Sequence, residues 1–254
     1  MGYDHLLIHV SESGVNRISL NRPAQRNALN ASLVAELKDA LALADADDRV
    51  RVVLITGEGP DFCAGADLRE IQESIEAGVL ESLGDAHALG DLFLLMRRLG
   101  KPVIAAVQGR ALAGGCGLAS ACDLVVAASD ARFGYPEVRL GFVPAMVMAI
   151  LRRAVGEKRA FELVALGDQI DALTAREYGL VSRVFPSEEF PAHAEEFAVR
   201  LAGHSRSALA ISKGLLYQID GMGFEAAVRT GAEVNALARL TPDCREGIRR
   251  FLER

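Results

Sequence analysis

The stretch Val103-Ile104-Ala105-Ala106-Val107-Gln108-Gly109-Arg110-Ala111-Leu112-Ala113-Gly114-Gly115-Cys116-Gly117-Leu118 decides how the rest of the chain is read. Five apolar residues in a row, set off by Lys101-Pro102, predict a strand buried on both faces, as in a parallel sheet. The glycines that follow predict a tight turn opening a short helix. A second apolar strand, Leu124–Ala127, comes next, and a short extended piece lies near Ala131–Phe133. Upstream, Val50–Thr56 reads as another buried strand, stopped by Gly57-Glu58-Gly59-Pro60. Leu6–Val10 and Val15–Leu20 flank the Ser11–Gly14 turn. Leu33, Val34, Leu37, Leu41 and Ala44 recur at helical spacing behind Asn30, and Leu89, Leu92, Phe93, Met96 and Leu99 mark a further helix. A strand over Leu180–Val184, after Gly179, closes the alternation, which defines an α/β architecture.

From Glu188 onward the strand signals stop. Phe190 to Leu201, Leu209 to Ile219 and Phe224 to Leu240 read as helices, and Thr241-Pro242 caps a last one. The expected organisation is a core over 1–187 and a helical region over 188–254, with no low-complexity linker between them.

The 254 residues are 50% hydrophobic and 24% charged, a globular composition. A net charge of −6 lacks the basic footprint of a general nucleic-acid binder. No apolar run approaches the ~18–20 residues of a membrane span, and no signal peptide is visible, so a cytoplasmic protein without a membrane partner is expected. Cys63, Cys116, Cys122 and Cys244 have no metal-site spacing and read as reduced thiols. Asn30-Ala31-Ser32 matches a glycosylation pattern but is better explained as a helix cap.

No phosphate loop, dinucleotide fingerprint, nucleophile elbow or His-Glu-x-x-His motif occurs, so no metal site is expected. Carboxylates and backbone dipoles remain. Phe62-Cys63-Ala64-Gly65-Ala66-Asp67-Leu68 lets a ligand approach the backbone closely, with Asp67 placed to cap the next helix. The run Gly109–Leu118, whose glycines open a short helix, puts free N–H groups and a positive dipole end at one spot. In Phe133-Gly134-Tyr135-Pro136-Glu137, a single carboxylate stands in apolar surroundings, where burial raises its pKa toward proton-transfer chemistry.

Taken in order, these segments resemble the enoyl-CoA hydratase/isomerase (crotonase) family. The likeness begins at Asn21-Arg22-Pro23 and Arg26-Asn27-Ala28-Leu29. It continues through Cys63–Leu68, Lys101-Pro102, Gly109–Asp123, Phe133–Pro144 and Gly179-Leu180-Val181. The resemblance implies a crotonase-like (ClpP/crotonase) spiral of ββα units with a helical C-terminal trimerisation region, assembled as a homotrimer or hexamer. It implies an acyl-CoA thioester substrate and no cofactor beyond the coenzyme A that the substrate carries. By position, the N–H groups of Ala66 and Gly114 match the oxyanion-hole donors, and Glu137 matches the second of two catalytic glutamates. Arg26, Ala28, Ala64, Asp67 and Leu68 fall in segments lining the coenzyme A site.

The first glutamate of that family is replaced here by Gly117. Two carboxylates can hold a water molecule between them, whereas a double-bond shift needs only one base. Hydration of an enoyl-CoA is the leading expectation, with Δ3-Δ2-enoyl-CoA isomerisation by Glu137 alone as the alternative. A catalytically silent acyl-CoA-binding partner is the reading from another class. Glu70, Glu73, Glu76, Glu81, Asp85 and His87 border the implied acyl pocket and are expected to be a solvated face. Lys213 and the C-terminal Arg245, Arg249, Arg250 and Arg254 are candidate phosphate contacts whose default is solvated charge, and Asp123 is expected to shape a turn.

Overall fold

A computed structural model describes residues 2–253 of the chain. The apolar runs become the strands of a six-stranded sheet: β1 (Leu6–Val10), β2 (Val15–Leu20), β3 (Val52–Gly57), β4 (Val103–Val107), β6 (Leu124–Ala128) and β9 (Arg183–Phe185), in that spatial order. Only β1 and β2 are antiparallel; every later pair is parallel. β4 is buried along its whole length, which is why its sequence is continuously apolar rather than alternating. A smaller sheet is formed by β5 (Arg110–Leu112), β7 (Arg132–Gly134) and β8 (Gln169–Asp171). Isolated parallel bridges, Leu29 to Ala66 and Cys63 to Ala111, extend this second layer toward the N-terminus.

The chain therefore repeats one motif. A strand enters the main sheet, a short extended segment enters the second layer, and a helix returns the chain to the start. α1 (Ala31–Ala46) ends the first turn, and α2 (Leu68–Ala77) with α3 (Val79–Arg98) ends the second. α4 (Gly114–Ala121) ends the third, and a 3₁₀ turn (Pro136–Leu140) with α5 (Ala145–Val155) and α6 (Glu157–Leu166) ends the fourth. α7 (Ala172–Tyr178) follows β8. This is the ββα spiral that the family resemblance implied.

Local chemistry sets the boundaries. The Asn30 side chain accepts from Leu33 N at 2.9 Å and starts α1, so the apparent glycosylation motif is a helix cap. Thr241 caps α11 (Pro242–Leu252) through Cys244 N at 3.3 Å, as its Thr-Pro sequence predicts. The last strand differs from expectation. Gly179, at φ +92°, is the left-handed cap of α7, and Leu180 and Val181 both donate to Ala175 O. Their apolar side chains are buried in that cap rather than in a strand, which begins only at Arg183. The sequence reading also did not delimit α5, α6 or α7.

α8 (Phe190–Ala202) lays Phe190, Ala194, Ala198 and Ala202 on the sheet, the small residues permitting close approach. α9 (Arg206–Gln218), α10 (Phe224–Ala238) and α11 bury only Lys213 among their described residues. That lysine is not solvated as expected. Its ammonium lies 2.8 Å from Asp123 Oδ2 and donates to the carbonyls of Met96 at 2.7 Å and Lys101 at 2.9 Å. Asp123 also accepts from Val103 N and from the Tyr217 hydroxyl, each at 2.7 Å. The pair is a buried clasp between α9 and the core. Arg249 and Arg250, exposed on α11, engage Glu246, and Arg249 also engages Glu253 just beyond the helix. Arg254 lies outside the described residues.

Candidate active site

The second layer sets the site's register. Because Cys63 pairs with Ala111 in parallel, Ala66 and Gly114 stand the same three residues further along neighbouring segments. Ala111 pairs in turn with Phe133, so the Pro136-Glu137 turn is the corresponding part of the next turn of the spiral. Three segments distant in sequence thus end side by side.

Glycine is required where these segments touch. A Cβ on Gly65, at φ +107°, would stand 2.8 Å from Ala113 Cβ and 3.0 Å from Leu112 O. Ala113 itself has a positive φ of +50°, a conformation that costs a non-glycine residue of order 1–3 kcal/mol. It is held there by its N–H bond to Gly134 O at 2.8 Å. The turn releases Gly114 as the first residue of α4. Among the described residues, neither Ala66 N–H nor Gly114 N–H donates a hydrogen bond. They are also close: a Cβ on Gly114 would sit 3.6 Å from Ala66 N.

Glu137 is the carboxylate of the group. It is 8% exposed, and its Oε2 is buried without a hydrogen-bond partner. Burial pushes its pKa above the usual carboxylate value, opposed by its own backbone N–H. Beneath it, Tyr135 is fully buried with its hydroxyl 3.0 Å from Ser120 Oγ. The thiols of Cys63 and Cys116, raised to about 12 and about 11 by burial, are inert packing groups.

The rim residues have mixed fates. Arg26 is exposed with φ +52°. Ala28 is buried, its carbonyl accepting from Arg22 Nη1. Ala64 N donates to Arg26 O at 3.0 Å, which ties the Arg26 turn to the Gly65 segment. Asp67 caps α2 through Arg69 N at 3.2 Å and pairs with Arg22 at 3.1 Å, so its charge is already engaged. Leu68 is exposed. Glu73, Glu76, Glu81, Asp85 and His87 are exposed as expected, while Glu70 accepts from Ala31 N at 2.7 Å.

Two supports were not identified from the sequence. Asn27, buried at φ +56°, accepts from Arg22 N and donates to the carbonyls of Glu58 and Asp61. Asp61 forks onto Arg110 at 2.8 and 2.7 Å, and that guanidinium holds its carboxyl below the usual value. The Arg-Asn dipeptide at positions 26 and 27 was the available signal, since consecutive left-handed residues favour asparagine.

Free backbone donors on neighbouring segments, with a buried carboxylate on the next turn of the spiral, fit a class of proteins that polarise a carbonyl and move a proton. The enoyl-CoA hydratase/isomerase family model matches residues 10–254, and the chain belongs to that family. It is similar to the 2,3-dehydroadipyl-CoA hydratase of Escherichia coli, 40% identical over 98% of this chain and 96% of that protein. The crotonyl-CoA hydratase of Syntrophomonas wolfei is 36% identical, with 100% and 97% covered. A crystal structure of an enoyl-CoA hydratase of Mycobacterium smegmatis superposes with a TM-score of 0.94, at 34% identity over 98% and 96% of the two chains. The protein is an enoyl-CoA hydratase/isomerase-type enzyme with the crotonase fold. No helix among the described residues is long and apolar enough to cross a membrane.

Proposed function

We propose that the chain adds water across the 2,3 double bond of an enoyl-CoA thioester. Ala66 and Gly114 N–H hold the thioester oxygen, and Glu137 is the proton-transferring side chain. The observation that carries this reading is the buried, unpartnered carboxylate of Glu137 on the turn aligned with two unused backbone donors. As water oxygen bonds to C3, its proton passes to Glu137 and the π electrons move onto the thioester oxygen. Collapse of that enolate takes a proton from Glu137 to C2, restoring the carboxylate. Each backbone donor contributes about 2.7–4 kcal/mol where comparable holes have been dissected.

Isomerisation is a second reading, favoured by Gly117. Glu137 would take a proton from C2 of a 3-enoyl-CoA and return one at C4 as the double bond moves into conjugation. Arg26, exposed at the mouth, suits a phosphate of coenzyme A, with Ala28, Ala64, Asp67 and Leu68 framing the carrier arm. Assembly as a homotrimer, or a pair of trimers, is supported by the exposed Leu216, Phe224, Val228, Leu237 and Leu240 on and beside α9 and α10. The test is turnover of crotonyl-CoA and of a 3-enoyl-CoA, followed at the conjugated-thioester band with products identified. Loss of the band with hydroxyacyl-CoA formed supports hydration; gain of the band from the 3-enoyl substrate alone supports isomerisation. Binding of both without turnover refutes the catalytic reading.

A further inference from the structure

We propose that Val147, backed by Phe93, fixes this as a one-carboxylate site: it fills the space beside Gly117, leaving Glu137 to carry both proton transfers. The proposal rests on the reading of Glu137 just given.

Gly117 lies in the interior of α4, its N–H bonded to Ala113 O at 2.9 Å. Its φ is not positive, so the backbone does not demand glycine there. The neighbours do. A Cβ at this position would overlap Val147 Cγ1, with Val147 Cβ at 3.3 Å and Phe93 Cζ at 3.5 Å. Val147 and Phe93 are 3% and 4% exposed, so neither can swing into solvent to make room. α4 packs on α5, which carries Val147, and on α3, which carries Phe93, so three elements close on this point. Gly114, one turn earlier in the same helix, contrasts with it: a Cβ there meets nothing nearer than 3.6 Å. The missing carboxylate is thus not a vacancy that one substitution can refill. Its volume has been taken by a β-branched side chain whose single favoured rotamer in a helix leaves no alternative position.

The chemistry follows in either direction of use. In hydration, Glu137 accepts the water proton and later delivers a proton to C2. In isomerisation, it accepts from C2 and delivers to C4. Both balance with one carboxylate and no second acid.

The test is a set of variants read by melting temperature and by the ratio of hydration to double-bond shift. Gly117→Ala should lower the melting temperature by about 2–10 °C, the range expected for overpacking a core by one methyl group. Most of that loss should vanish when Gly117→Ala is made on a Val147→Gly background. Gly117→Glu with Val147 retained should not raise the hydration ratio. Gly117→Glu with Val147→Gly should raise it at least tenfold over Val147→Gly alone. Three results would overturn the proposal: Gly117→Ala no less stable than wild type, a Gly117→Ala loss unaffected by residue 147, or Gly117→Glu alone gaining hydration. Wild-type turnover of neither substrate would instead refute the role of Glu137, and the stability cycle would still decide whether Val147 closes the position.

Discussion

Replacing Glu137 by Gln should make the enzyme slower and the fold more stable. The substitution is nearly isosteric and removes the charge from a side chain whose Oε2 is buried without a partner. A general acid/base contributes ~10²–10⁴ in rate, which is about 2.7–5.5 kcal/mol of barrier, so turnover should fall by that factor. On the other side, an unsatisfied buried polar group costs about 1–3 kcal/mol and more when it is charged; Gln keeps a polar amide there, so what it relieves is the charged excess, of order 1 kcal/mol or more. Relieving even the lower figure should raise the melting temperature by about 2–4 °C. The pH dependence has a definite sign. Burial raises the folded-state pKa above its ordinary 4.5, so the folded chain holds this proton more tightly than the unfolded chain does. Below 4.5 the carboxyl is neutral in both states and carries no charge penalty. As pH rises through the raised folded value the penalty develops in full, and wild type loses ground to the variant. Activity moves oppositely, falling as pH drops through the same value because the base becomes protonated. Thermal melts of both proteins across pH 4–8, with turnover on the same samples, measure both effects. A variant that is slower but no more stable at neutral pH, or a stability gap that does not grow with pH, would refute the argument that Glu137 is held ionised at a cost to the fold.

Gly114→Ala should fold normally, since its new methyl meets only ordinary contacts at 3.6 Å. That methyl would stand against Ala66 N, where a substrate oxygen is expected, so turnover should drop ~10²-fold, as for loss of one oxyanion donor; unchanged kcat/KM would contradict the assignment. Lys213→Ala should destabilise by about 1–3 kcal/mol in denaturant titration, because the part-buried Asp123 carboxylate loses its counter-charge while keeping its bonds from Val103 N and Tyr217. If the proposed trimer forms through this face, Phe224→Glu on the exposed side of α10 should shift the mass measured by light scattering toward a monomer while leaving the circular dichroism spectrum intact; a wild-type monomer would refute the trimer.

The main strands were legible because a buried parallel strand needs an unbroken apolar run, and β4 and β6 supply one. Caps at Asn30 and Thr241 were legible because the donor and acceptor are three residues apart. Leu180 and Val181 misled for the complementary reason: apolarity reports burial, and a helix cap can be buried as completely as a strand. Lys213 reads as surface charge on a helix because its partner Asp123 is remote in sequence. Glu137, Ala66 and Gly114 stood out as site candidates only through the family resemblance of their segments, because each local motif alone reads equally well as a turn or a solvated carboxylate. The packing around Gly117 could not, because glycine carries no side chain to show what it faces, and Val147 looks like any apolar helix residue.

The pairing of Cys63 with Ala111, three residues before Ala66 and Gly114, has a metric consequence for the proposed hole. Neighbouring strands are separated by about 4.8 Å, a distance fixed by backbone hydrogen bonding and insensitive to side-chain identity. Two N–H groups that far apart can each reach the same oxygen at about 2.9 Å only if it lies roughly midway between them and slightly above their line. In the proposed hole the sheet would act as a ruler that locates the substrate carbonyl, so that substitutions around the acyl chain could change what is bound without moving where its oxygen sits. A single-residue insertion between Cys63 and Ala66 would spoil that ruler while adding no bulk to the pocket.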